Sequence, residues 1–350
     1  MPHTKWSRAI IIAVGAAAVV TLILIAFIWP SLTSTVRNVP LAVVGTSSEV
    51  SSVTTQLDDK LAGGFVITKV PSRASAVHAI KTRDELGAII MGGSPEVLVA
   101  SAAGTPVSQL LTQLAAQIQA TANASAQAAV AQAIAAHHAP AGTIAPTITV
   151  TVTDVVPLVA ADSRGVGLAA ASFPLVLGGM LGGIMISLLI TGVWRRLISV
   201  IVYAVIAGAA VVAVMQGWFG VLQGSVLLNA AAVSLAMAAT AAFIVGANAL
   251  TGIAGIPLGS VVTMLIGNPL SSATAPIAFM PQPWGQVGQY FVPGASATLL
   301  RDLSYFPDAG TLMPWLVLAG WTVLGVLAMV GGHFRNQEVV HVPALEEQPA

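Results

Sequence analysis

Between Arg196 and Arg301 the chain contains no Asp, Glu, Lys or Arg. A stretch of that length without a single charge cannot present a solvated surface, which needs interspersed charged side chains. It also far exceeds the ~20 residues with which one helix crosses a bilayer. The stretch must therefore be folded back on itself in an apolar medium. The rest of the composition agrees, with 56% hydrophobic and 7% charged residues in 350 and a mean hydropathy of +0.88. These values place the chain among polytopic α-helical membrane proteins. A formal charge of zero, with scattered basic residues, argues against a nucleic-acid partner. The absence of cysteine removes disulfides, thiol catalysis and cysteine-ligated metal together.

Read in order, the sequence predicts six spans in a one-plus-five arrangement. Lys5 and Arg8 precede an apolar run over residues 9–29, read as an uncleaved anchor because Phe27-Ile28-Trp29-Pro30 follows it rather than a small-residue cleavage site. Residues 1–30 form a cytoplasmic stub and this anchor. Residues 31–165 hold most of the charged groups and form a small α/β extracytoplasmic domain. Strands are expected at 39–44, 64–70, 88–91 and 97–100, helices at 48–61 and 73–85, and a closing strand at 147–153. The Ala- and Gln-rich run 106–138 reads as a long helix or helical hairpin. Residues 166–335 then form the five-helix block. Its spans are expected at 166–194, stopped by Arg195-Arg196, at 197–215, twice within 226–267 around a turn near Asn248 and Gly252, and at 314–330. Residues 336–350 are a cytoplasmic tail. Six crossings put both termini and Arg195-Arg196 in the cytoplasm and residues 31–165 outside a plasma membrane, in keeping with the distribution of basic residues.

The segment 268–312 is unlike its neighbours. It is too apolar for an ordinary loop, and Pro269, Pro276, Pro281, Pro283 and Pro293 prevent one continuous helix. Irregular backbone at membrane depth survives only when buried in protein or facing a watery cavity. The segment is therefore read as re-entrant or interfacial helices at the outer face. Asn268, Pro269, Pro281, Pro283, Trp284, Pro293 and Arg301 are its candidate functional residues. Arg301 and Asp302 beside Tyr305 suit a substrate head group, with interfacial anchoring as the plainer alternative.

Proton- and ion-driven transporters place titratable groups in their spans, and the charge-free block offers none. If the protein moves a molecule, energy comes from a partner. Gly178-Gly179 with Gly182-Gly183, and Gly255 with Gly259, have the small-xxx-small spacing that lets helices approach closely, within the chain or to a second copy. His137-His138 lacks the carboxylate support of a metal site. No Ser-His-Asp or metal-ligand pattern supports an enzyme.

Several local sequences carry a family resemblance: Asp162-Ser163-Arg164-Gly165 before the second span, then Asn268-Pro269, Met280-Pro281, Trp284-Gly285, Val292-Pro293-Gly294 and Leu299-Leu300-Arg301. With one N-terminal span, a large outside domain and a five-span block, the chain resembles the permeases of the ABC type 2 exporter family, in the branch that includes the phage infection protein. The resemblance covers the C-terminal half, and the outside domain in layout. It implies a permease half that forms a homodimer or pairs with a sister permease, surrounded by lipid and driven by a trans-acting ATPase, exporting an apolar or amphipathic molecule. No Gly-x-x-x-x-Gly-Lys-Ser/Thr motif occurs in the chain, so ATP would act in the partner subunit and this chain needs no cofactor of its own. In such permeases a coupling helix lies between the second and third spans. Arg195 and Arg196 are the residues available for that role here. The alternative of a different class is a membrane-anchored adaptor or receptor whose outside domain binds envelope components or proteins without transport.

Overall fold

In the computed structural model of the protein, residues 5–138, 140, 142–273 and 276–335 are described, so the expected tail 336–350 lies outside them. Five helices, counting the run Val226–Gly267 as one, are long and apolar enough to cross a membrane, as in a helical membrane protein, and a small sheet accompanies them.

The first helix, α1 (Trp6–Thr33), contains Pro30 in its last turns. Its apolar side chains are exposed along most of its length. Only its C-terminal end is held by rings, Phe27 against Phe173 and Trp29 against Trp284, each edge-on at 6.4 Å between centroids.

The sheet follows from alternation. Strands β1 (Val39–Val44), β2 (Phe65–Lys69), β3 (Gly87–Ile90), β4 (Glu96–Val99) and β5 (Thr151–Asp154) lie in the order β2-β1-β3-β4-β5. All neighbours are parallel except β3 and β4. Helices α2 (Ser47–Lys60) and α3 (Arg73–Lys81) supply the crossovers. Each starts on a side-chain cap, Thr46 in a capping box with Glu49 and Ser72 on the Ser75 amide, which satisfies amides that a helix leaves open at its start. Because successive strand residues point to opposite faces, Val39, Leu41 and Val43 pack with Val53, Leu57 and Leu111 on one side. On the other side Ala42 and Leu98 meet Ala76, Ile80 and Phe306. Leu111 belongs to α4 (Thr105–Ala135), a single long helix rather than a hairpin. β5 is shorter than the alternation predicts; part of the chain before it pairs instead with α4 side chains, Asn123 with the Ile148 backbone and Gln119 with Val150.

The helical block is built on α7 (Val226–Thr251), the most buried of the long helices. α5 (Val166–Leu189) runs parallel to it, since a Cβ on Gly179 would lie 2.8 Å from Thr240 and one on Gly183 3.0 Å from Ala241. α5 ends earlier than predicted, with residues 190–192 as a break and Gly192 at φ 86°. Arg195 and Arg196 therefore stand in the first turn of α6 (Val193–Val212) and do not terminate α5. α6 runs antiparallel to α7, with Gly208 against Ser234 and Tyr203 against Met237, and it finishes in a π-helical turn, Ala213–Trp218.

The predicted turn inside 226–267 is present at Gly252 (φ 68°), but the limb beyond it is short. It comprises α8 (Gly255–Ser260), six residues, and a π-helical run Val261–Gly267 of seven, fewer than the ~20 of a full crossing. Gly255 stands against Ala247 and Gly259 against Ile244, so the limb runs back along α7. At Gly267 the chain leaves α7 for a 3₁₀ turn (Pro269–Ser271), a second one (Ile277–Phe279) and α9 (Trp284–Gly288). It returns as α10 (Val292–Tyr305), whose Pro293 ring sits 3.1 Å from a Gly267 Cβ position. At the other end of α10 the Leu303 carbonyl faces Gly224, just before α7 begins. Limb and α10 thus lie in tandem along one α7, as two halves of an interrupted helix. α11 (Leu312–Arg335) closes the block parallel to α7, through Gly325 on Ala242 and Gly332 on Ala249.

One buried group in the sheet unit is in conflict with its surroundings. Glu85 is 5% exposed and its Oε2 has no partner among the described residues. Burial pushes its carboxyl above the usual range, against a smaller downward pull from Thr68. An acid with a raised folded-state pKa contributes stability that is complete below its unfolded value, about 4.3, and is lost as pH rises through the folded value. Glu85→Gln is therefore expected to stabilise the protein at pH 7 by about 1–3 kcal/mol, with the gain vanishing near pH 4. Melting curves in detergent across that range check this; a gain independent of pH would contradict it.

Candidate functional site

The excursion between Gly267 and Val292 forms a wall with a cleft on either side. Asn268 starts it: its carbonyl accepts the Ser271 amide at 3.1 Å and the Ser271 hydroxyl at 2.6 Å. Pro269, whose fixed φ suits a first helical position, supplies the turn. Ser272 follows in the left-handed region at φ 54°, where a non-glycine residue is uncommon. The wall then rises to the sheet unit, where Pro276 packs on Gly104 and the Phe279 carbonyl accepts the Thr35 amide at 3.1 Å. It descends through Pro281 and Pro283. The Pro281 carbonyl accepts the Trp284 amide and that of Pro283 the Gln286 and Val287 amides. At its base Gly288 lies against the Leu270 carbonyl so closely that no side chain fits.

The first cleft, about 620 Å³, lies between α1, the N-terminal turns of α5 and the wall. Phe27, Pro30, Phe173, Pro269 and Met280 line it with the uncharged polar Ser34, Ser172, Asn268, Ser271 and Ser272, and none of its described lining residues is charged. The second, about 660 Å³, lies under the sheet unit and is the more polar of the two, with charged side chains in its lining. Arg83 enters it from the sheet unit, Gln282 and Gln286 from the wall, and Thr298, Arg301 and Asp302 from α10. Ser272 lines both clefts. Volumes of several hundred Å³ are typical of small-molecule sites.

The charged end of the second cleft is fixed by one pair. Arg83 Nη1 donates to Asp302 Oδ1, with 4% of the aspartate side chain and 17% of the arginine side chain exposed. The same guanidinium stands 5.3 Å from the centre of the Phe306 ring, a cation–π distance. Phe306 itself is a core residue of the sheet unit although it directly follows α10. Arg301, half-buried, donates from Nη2 to the Ala273 carbonyl at 3.1 Å and so ties α10 to the wall. Tyr305 donates its hydroxyl to the Val221 carbonyl at 2.9 Å.

The seven segment residues singled out in the sequence are thus brought together in part. Asn268 and Pro269 line the apolar cleft and Arg301 the polar one. Pro281 and Pro283 shape the wall, Trp284 is exposed beside Trp29, and Pro293 is buried at the start of α10. All six glycines face neighbouring elements of this chain: Gly178 Met237, Gly179 Thr240, Gly182 Tyr203, Gly183 Ala241, Gly255 Ala247 and Gly259 Ile244. The two arginines differ. Arg195 is exposed, whereas Arg196 donates to the Ser187 and Ile190 carbonyls at 3.0 and 2.7 Å, capping the last turn of α5. The Asp162-Ser163-Arg164-Gly165 sequence is also a cap, its Asp162 carboxylate accepting the Val166 and Gly167 amides at 2.9 Å each. Among the described residues no group of three or more His, Cys, Asp and Glu side chains could hold a metal.

Arg83, Phe306 and Ser272 were not among the candidates. Arg83 and Asp302 are 219 positions apart, and neither the spacing nor the neighbours of Arg83 point to α10. Comparison with protein-family models, with curated proteins and with solved structures finds no match.

Arg83→Ala and Asp302→Ala should each cost about 3–5 kcal/mol, because either leaves a buried charge without its partner. The double substitution should cost less than their sum. Unfolding of the four proteins in one detergent measures the coupling; simple additivity would show that the two groups do not act as a pair.

Proposed function

We propose that the chain is the membrane-embedded permease subunit of an ATP-driven exporter of the ABC type 2 kind, carrying an apolar or amphipathic molecule with energy from a separate ATPase. The observation that supports this most is the pair of clefts on one wall, apolar on the α1–α5 side and charged under the sheet unit. A molecule with an apolar part and a polar part fits such a pair, and a hydrophilic solute does not. The interrupted helix beside the wall has the form of a transport element, since broken helices at membrane depth occur where they line a path. The charge-free helices leave no proton relay, which favours an energy source in trans.

In this reading there are six crossings, the fifth made of the short limb and α10 together. Both ends of the block and Arg195 face the cytoplasm, and the sheet unit is outside a plasma membrane. The ATPase then meets the end of the block where residues 190–192, the end of α7 and the end of α11 surround a cleft of about 250 Å³ lined by Gly192, Arg196 and Gly332. A membrane-anchored adaptor that transports nothing is the second reading. It is favoured by one specific observation, the capping of α5 by Arg196, which withdraws one of the two arginines from any coupling contact.

Two experiments test the proposal. Purification from native membranes should yield a stoichiometric ATPase whose hydrolysis rate changes at least severalfold when this subunit is added back; a lone oligomer without ATPase would favour the adaptor. Because the chain has no cysteine, single replacements report sidedness without background. Asp308→Cys should react with an impermeant thiol reagent applied outside intact cells, and Arg195→Cys only after permeabilisation. The reverse pattern would invert the topology and remove the proposal.

A further inference from the structure

The two clefts meet at an unsatisfied atom. Ser272 is 8% exposed, it lines both clefts, and its Oγ has no hydrogen-bond partner among the described residues. A buried hydroxyl without a partner costs about 1–3 kcal/mol, a cost that a ligand acceptor placed there would relieve. Charge supplies the second, independent observation. The polar cleft holds two guanidinium groups, Arg83 and Arg301, and one carboxylate, Asp302. Asp302 pairs with Arg83. Arg301 forms no ion pair among the described residues, and a guanidinium has five N–H donors, of which the Ala273 carbonyl takes one. An excess positive charge, half-buried in a cleft that Gln282, Gln286 and Ser272 also line, calls for an anion with several acceptor oxygens, a phosphate or a carboxylate.

The other side of the wall fixes what is attached to that anion. The apolar cleft borders Ala169 and Phe173 in the first two turns of α5 and Phe27 and Pro30 near the end of α1, and α1 exposes apolar side chains along its length. An anion at Arg301 and Ser272 would therefore have its apolar substituent pointing along α1 and α5 into the hydrocarbon, the orientation of a lipid in that leaflet.

The geometry points to an anionic amphiphile as the ligand of the paired clefts, its phosphate or carboxylate held by Arg301 and Ser272 and its chain lying between α1 and α5. This specifies the cargo class for the exporter reading on which it rests. Binding is measured on the purified chain alone, so a negative result removes the ligand and leaves ATPase coupling to be judged by its own experiment.

The chain, in a neutral detergent, is titrated with dioleoylphosphatidylglycerol, with dioleoylphosphatidylcholine and with inorganic phosphate, and the bound species are counted by native mass spectrometry. Phosphatidylglycerol is expected to bind about tenfold tighter than phosphatidylcholine. Arg301→Gln should abolish that preference and Arg301→Lys should retain part of it. Ala169→Trp, which fills the apolar cleft, should weaken the lipid severalfold and leave inorganic phosphate unchanged. Ser272→Ala, a smaller perturbation, should weaken phosphatidylglycerol severalfold while leaving the melting temperature of the lipid-free protein no lower than before, and it keeps the test decisive if Arg301→Gln fails to fold. Equal binding of the two lipids, or a preference that survives both Arg301→Gln and Ser272→Ala, overturns the assignment. Inorganic phosphate binding as tightly as the lipid, with no effect of Ala169→Trp on either, would make this a free-anion site and overturn the amphiphile.

Discussion

The relation of the sheet unit to the helical block depends on a buried ion pair with an aromatic plug beside it. Arg83 leaves the sheet unit just after α3, with a left-handed backbone at φ 66°, and reaches Asp302 in α10. Four residues on, Phe306 passes in the opposite direction and ends among Ala42, Ala76 and Ile80. Each unit thus places a side chain in the other, and the guanidinium touches both the carboxylate and the ring. Burying the two charges is costly unless geometry and further contacts compensate, and such pairs act best as fixers of one arrangement. Here the arrangement fixed is the roof of the polar cleft, because Arg83 and Asp302 both line it.

Inside the block the packing obeys a different rule. Apolar burial gives little drive between helices surrounded by lipid, so close contact of small residues has to supply it. α7 illustrates this on several sides, meeting Gly179 and Gly183 of α5, Gly208 of α6, Gly255 and Gly259 of α8, and Gly325 and Gly332 of α11. Where the limb stops at Gly267, the same device lets Phe291 and Pro293 come to within 3.1–3.2 Å of the glycine Cβ position, and the helix direction resumes in α10. The backbone freed between them finds partners in its own turns, in Thr35 and in Arg301, as irregular chain packed against protein requires.

Much of this was legible in the sequence because it is local. The strands β1 to β4 and both crossover helices follow from alternation and apolar runs, and the apolar runs 9–29 and 314–330 locate α1 and α11, although these helices extend to 6–33 and 312–335. The faces of Gly178 to Gly183 and of Gly255 and Gly259 follow from helical spacing. The length of the limb after Gly252 did not, because residues 255–267 are as apolar as a full span and nothing in their composition marks where the chain leaves α7. The segment 268–312 could be recognised as broken from its prolines, but the wall and its two clefts require knowing what stands opposite: α1 and α5 for Asn268, the sheet unit for Gln282. Arg196 shows the limit from another direction. Its charge marks a helix boundary correctly to within a few residues, yet charge alone cannot distinguish an arginine that meets a partner from one that caps the preceding helix, as Arg196 does with Ser187 and Ile190.

The distribution of polar groups along the block gives the last step. Between its two ends many of the described side-chain hydrogen bonds are local, as Ser187 on Gly183 and Thr263 on Gly259, while Tyr203 of α6 reaches across to the Gly178 carbonyl of α5. Such contacts satisfy buried hydroxyls and hold no charge that could change state. Most of the polar elaboration collects at the end near the sheet unit, in Asp162 capping α5, Asn229 held by Gln216 and Gln223, and the Arg83–Asp302 pair. Among the described contacts, the opposite end includes a glycine break at 192, a glycine turn at 252 and the Arg196 cap on α5. On the exporter reading proposed above, glycine-packed helices with no Asp, Glu, Lys or Arg between positions 196 and 301 relay a push between their ends and take its energy from elsewhere. On that reading, work done at the wall enters as mechanical displacement of α7, α8 or α11 at the end away from the sheet unit. The interrupted helix is where such a displacement would be felt, since limb and α10 are continuous through packing at Gly267 and Pro293 rather than through one hydrogen-bonded backbone.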